Sequence, residues 1–198
     1  MKKFTATVST VFAWAGGALI LLCSILVSLD VLTRKLLGWT YFESFELSTY
    51  AFAIAVSLGC AYALISKSHI RIEVLYRLLP DIVQRVLDLV SILGLLVGAT
   101  VLVWYAWSAF DSSLILGARS NTPLSVPLVI PQGLWLIGLV WFALSAAFLF
   151  LRALIHFFTG RHDEIIEDIG IASMEEEIEA STDLQTDVRV KSKNAEIG

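Results

Sequence analysis

Charge is scarce in this chain, and its distribution matters more than its amount. Only 16% of the 198 residues are charged. Phe4 to Leu29, Leu47 to Ser66, Leu89 to Phe110 and Ser120 to Leu151 carry no Asp, Glu, Lys or Arg. With a hydrophobic share of 57% and a mean hydropathy of +0.78, that pattern excludes a soluble domain and sets the class as integral membrane. Cysteine is nearly absent. Cys23 and Cys60 each lie inside an apolar run, with no CxxC, so there is no disulfide framework and each reads as a small hydrophobe. The three histidines, His69, His156 and His162, fall outside the apolar runs, so no pair is expected to hold a haem between helices. A P-loop, GxGxxG, HExxH and GxSxG are all missing. No catalytic residues, metal ligands, cofactor or nucleic-acid partner are therefore expected. Transporters usually show broken helices in repeated halves, or charged residues deep in a span, and this chain shows neither. It does not read as a transporter by itself.

What remains is four apolar segments, expected as helices over about residues 10–32, 46–66, 87–108 and 131–152. Some 20 residues at about 1.5 Å each cross a hydrocarbon core of about 30 Å. The first segment follows Lys2 and Lys3 like a signal peptide, but its apolar run exceeds the usual ~7–15 residues. The Ala-x-Ala at Ala13–Ala15 also precedes most of the run, so an uncleaved first helix is expected. The fold class is thus all-α, with four transmembrane helices over residues 1–160, an amphipathic interfacial connector and an acidic tail over 161–198. In the connector, Ile70 to Leu87, Glu73/Arg77 and Asp81/Arg85 are opposite charges four apart, and Pro80 can open the next helix. The tail holds four Lys/Arg against eleven Asp/Glu and no large apolar face, and reads as solvated and disordered.

Several residues suggest contact between helices or with a partner. Ala51, Ala55, Gly59 and Ala63 recur every fourth residue, and Gly94 and Gly98 form a GxxxG. Small residues let helix backbones approach closely in lipid. Asp30 and Arg34, four apart, can pair on one helix face, either as plain interfacial charges or as a pair orienting the helix against a partner. Glu43 and Glu46 suit the start of the second helix as dipole partners, or serve a subunit contact. Pro123, Pro127 and Pro131 punctuate the loop Ser112 to Ile130, which is expected to stay extended or turned until Pro131. With the N-terminus inside, the inner side holds Lys2, Lys3, Lys67, Arg71, Arg77, Arg85, Arg152 and Arg161, against Arg34, Lys35 and Arg119 outside. That bias places both termini in the cytoplasm. It also gathers Trp39, Tyr41, Trp104, Trp107 and Trp135 into an outer aromatic belt.

Between Val11 and Arg152 the chain resembles the small membrane subunit, DctQ-like, of tripartite ATP-independent periplasmic (TRAP) transporters. The resemblance rests on Asp30 with Arg34, then Glu46-Leu47-Ser48, then Leu58-Gly59-Cys60-Ala61. It continues with His69-Ile70-Arg71-Ile72-Glu73, Thr122-Pro123-Leu124-Ser125-Val126-Pro127 and Ile130-Pro131-Gln132-Gly133. The family commonly shows a Trp, two acids and an Arg at the second helix entrance. Here Glu43 stands near the Trp position, Phe45 at the first acid and Thr49 at the Arg, so only Glu46 carries over. The resemblance implies a non-enzymatic subunit in the bacterial inner membrane. It implies a stable complex with a large multi-helix permease, and a periplasmic binding protein that visits transiently with an organic acid anion. An ion gradient, typically Na⁺, would drive uptake. Subunit contacts are then expected at Asp30, Arg34, Glu46, Ala51, Ala55, Gly59, Ala63, His69, Arg71, Gly94 and Gly98. Pro123, Pro127 and Pro131 are expected near the binding protein, and lipid covers the remaining faces. A stand-alone membrane assembly protein is the alternative, and a redox anchor, disfavoured by the histidines, is a further one.

Overall fold

The computed structural model describes residues 2–38, 44–66 and 80–159. The polar half of the connector and the acidic tail, with His69 and Arg71, lie outside the described residues, as do Trp39 and Tyr41. Among the described residues there are four helices: α1 (Lys2–Leu37), α2 (Ser44–Ile65), α3 (Asp81–Leu116) and α4 (Val129–Thr159). All four are long and apolar enough to cross a membrane. The chain is an all-α, multi-pass membrane protein.

The helices outrun the uncharged segments. α1 and α3 have 36 residues each, about 54 Å of helix against a hydrocarbon core of about 30 Å. Charge marks where lipid ends; it does not stop hydrogen bonding along the backbone, so the helices continue into the polar zones. α3 starts directly after Pro80 and ends at Gly117, whose left-handed backbone (φ 57°) turns the chain. The Ala118 N–H reaches back to the Ser113 carbonyl (3.0 Å), closing the C-terminus. α4 begins two residues before Pro131, where the helix was expected to start. In a first turn the ring removes only an N–H that has no partner within the helix, so Pro131 is tolerated there. α4 also continues past Arg152 and carries His156, expected beyond the apolar run, into the helix as a buried residue. No second histidine is among the described residues.

The packing order is α1–α2–α4–α3, with α4 central and α2 beside it. Backbone contact fixes both inner seams. A Cβ on Gly16 would lie 3.0 Å from the Ala55 carbonyl oxygen, so α1 crosses α2 there. A Cβ on Gly138 would collide with Ser57 Oγ and lie 2.8 Å from the Ser57 carbonyl carbon, so α2 and α4 touch through their main chains. On α3 the buried residues Ile92, Ala99, Ala106 and Ser113 are seven apart, and they face Leu136, Leu139, Phe142, Ala146 and Ala153 of α4. Seven-residue spacing belongs to helices packed at a shallow left-handed angle. α1 is also tied to α4 away from the loops. Trp141 Nε1 donates to the fully buried Ser9 Oγ (3.0 Å), with Phe4 and Phe12 edge-on to the indole at 6.4 and 6.0 Å.

These seams separate two kinds of glycine. Gly138→Ala should push α2 from α4 and destabilise the isolated protein by about 1–3 kcal/mol, read as a lower midpoint for heat-induced loss of monodisperse protein in detergent. Gly94→Ala, with nothing within 4 Å of its Cβ, should leave that midpoint unchanged or raise it.

Candidate functional site

At the loop end of the bundle α1 and α3 finish and α2 and α4 begin, and two carboxylates organise the polar contacts. Asp30, fully buried, joins the end of α1 to the start of α2. Its Oδ2 accepts from Arg34 Nη2 at 2.7 Å, one helical turn on, and from Ser44 Oγ, also at 2.7 Å. The pairing expected from the four-residue spacing is present. The Ser44 contact was not legible, because only the α1–α2 turn brings that hydroxyl to the carboxylate. Charge-assisted bonds of this kind contribute about 1.5–3 kcal/mol each.

Glu46 does the corresponding task between α2 and the α3–α4 loop. Its side chain is buried, and both oxygens accept hydrogen bonds. Tyr50 Oη donates to Oε1 at 2.7 Å, and Thr122 Oγ1 donates to Oε2. Ser120 Oγ lies 2.6 Å from Thr122 Oγ1 and accepts the Thr122 backbone N–H at 3.1 Å. The carboxylate thus holds a loop 76 residues away in sequence. The arrangement latches two segments together.

The loop itself is pinned. Ser120 N–H donates to the Val126 carbonyl and Leu128 N–H to the Ala118 carbonyl, both at 3.0 Å, pairing Arg119 with Pro127 across a narrow bridge. Ser125 sits at φ 45°, and its N–H closes a turn onto the Thr122 carbonyl. Arg119 Nη1 donates to the Ser125 carbonyl at 3.1 Å. The loop, expected to be extended or turned, is a cross-tied hairpin with Pro123, Leu124 and Ser125 exposed at its tip, Pro127 half-buried and Pro131 buried.

The remaining expected contact residues fall on different faces. Ala55 is buried against Gly16 of the same chain. Ala51, Gly59 and Ala63 are half-buried, and a Cβ on Gly59 would meet nothing within 4 Å. Gly94 and Gly98 are exposed with open space before them, because α3 meets α4 through Ala99 and Ala106. Trp104 and Trp107 are exposed at 75% and 59% near the loop end, and Trp135 is half-buried.

A family profile described as tripartite ATP-independent periplasmic transporters, DctQ component, matches residues 23–156. The chain belongs to the DctQ family. The match runs from mid-α1 to the last turns of α4, so it contains both carboxylate centres and the pinned loop. No curated protein matches the chain. DctQ proteins are small membrane subunits that work in TRAP transporters with a large permease and a binding protein, and the family is not one of enzymes.

Thr122→Val should release the loop from Glu46 while leaving the helix seams intact. Amide hydrogen exchange at Ser120 and Leu128 should then quicken by about tenfold, the effect of losing one charge-assisted bond of ~1.5 kcal/mol. Unchanged exchange would show that the cross-ties alone hold the hairpin.

Proposed function

We propose that this DctQ chain is the static scaffold of an organic-acid TRAP transporter, gripping the large permease through faces its own helices leave open. The observation that carries this reading is the empty space before Gly59, Gly94 and Gly98, close-packing residues against which none of the described helices packs. In lipid, backbone approach at such residues holds helices together through dispersion contacts. The pinned hairpin at the loop end offers a rigid tip, Pro123 to Ser125, to the binding protein. In this reading the loop end is periplasmic, both termini are cytoplasmic in a bacterial inner membrane, and an ion gradient powers uptake by the permease. The chain performs no chemistry.

Affinity purification of the tagged chain in mild detergent tests this. A stoichiometric, much larger polytopic protein is the expected companion. A lone monomer or homo-oligomer, with transport intact in its absence, would favour a stand-alone assembly protein instead. Gly59→Leu and Gly98→Leu should each lower recovery of the companion about tenfold, the factor corresponding to ~1.4 kcal/mol of lost packing. A Cβ at either position meets nothing within 4 Å among the described residues, so the isolated subunit's thermal midpoint should stay near wild type. Full recovery from both variants would mean that lipid covers these faces.

A further inference from the structure

Between α1 and α2, near the loop end, lies a groove of about 530 Å³ that none of the described helices fills. We propose that it is a binding site for one anionic glycerophospholipid, with an acyl chain in the groove and the phosphate at Arg34 and Lys35. Its walls are Ile20, Cys23, Ser24, Val27 and Ser28 from α1 and Ser48, Thr49 and Phe52 from α2.

Of the four wall hydroxyls, three have their donors engaged on their own helices. Ser28 Oγ donates to the Ser24 carbonyl at 2.8 Å, Ser48 Oγ to the Phe45 carbonyl at 2.8 Å and Thr49 Oγ1 to the same carbonyl at 2.9 Å. Bonded back onto their own helices, these side chains present narrow walls that need no further partner. Such a surface suits a hydrocarbon chain. The volume is within the ~300–1,000 Å³ typical of small-ligand sites, and Ile20 to Ser28 spans about 12 Å of helix.

Both α1 rows that line the groove end in a cation. Seven residues, two helical turns, separate Ser28 from Lys35 and Val27 from Arg34, placing each cation on the same face about 10 Å further along. That offset sets an acyl chain in the groove and a phosphate at the helix end. Arg34 is paired with Asp30, whereas Lys35 makes no ion pair among the described residues, so the two cations together present one net positive charge. A headgroup with one net negative charge complements it. At ~100° per residue, Glu46 lies ~160° and ~120° around α2 from Ser48 and Phe52 and ~60° from Thr49, and its oxygens accept from Tyr50 and Thr122.

The test is native mass spectrometry of the full chain, with any permease that accompanies it, after incubation with equal amounts of phosphatidylglycerol and phosphatidylcholine. One phosphatidylglycerol adduct should dominate, and Lys35→Ala or the groove-filling Ser28→Leu should reduce it about tenfold, while Lys35→Arg keeps it. Equal binding of the two lipids, or an adduct unchanged in Lys35→Ala, overturns the proposal. Should Ser28→Leu fail to fold, a photo-crosslinking residue at Ile20 decides the occupant. A lipid adduct supports the site, and conjugation to a protein overturns it while leaving the scaffold reading untouched.

Discussion

Helices in lipid gain little by hiding apolar surface from one another, so the architecture depends on how closely their backbones can approach. The decisive approach is Gly138 against Ser57, where α4 lies on α2 with no room for a methyl group. Gly16 against Ala55 repeats the device between α1 and α2. From these crossings the rest follows: α4 becomes the central helix, α3 is seated along its seven-residue row, and α1 is left with one long neighbour and a single tryptophan tie.

Polar contacts finish what close packing begins. The apolar seams fix which helices touch, and they place few constraints on the chain between helices. Asp30 and Glu46 supply those constraints at the loop end, one joining α1 to α2 and the other joining α2 to a loop far along the chain. A buried carboxylate is costly unless several donors surround it, and each of these has at least two. Their energetic effect is therefore local and positional, holding the hairpin tip in one orientation relative to the helices.

A helix row with a central α4 leaves its flanks open. Much of the apolar side-chain surface of α1 and α3 is exposed, including Trp14, Leu21, Ile25, Val97, Val101 and Trp104. In a membrane such faces are satisfied by lipid or by another protein's helices, and DctQ proteins work alongside a large permease.

The sequence determined the class and the four spans, because uncharged length is a direct measure of what lipid accepts. It also determined the Asp30–Arg34 pair, since partners four apart on one helix meet whatever the tertiary fold. Which small residues became seams was decided only by the tertiary structure. The GxxxG of Gly94 and Gly98 carries the familiar signature yet faces outward, while Gly138 and Gly16, in no striking pattern, make the tightest contacts. A small residue permits close approach from any direction, and its sequence cannot say which helix will arrive. The same holds for Glu46. Its place at a helix start was legible, but its hold on Thr122 arises only when α4 lies beside α2 and brings the loop within reach of the carboxylate.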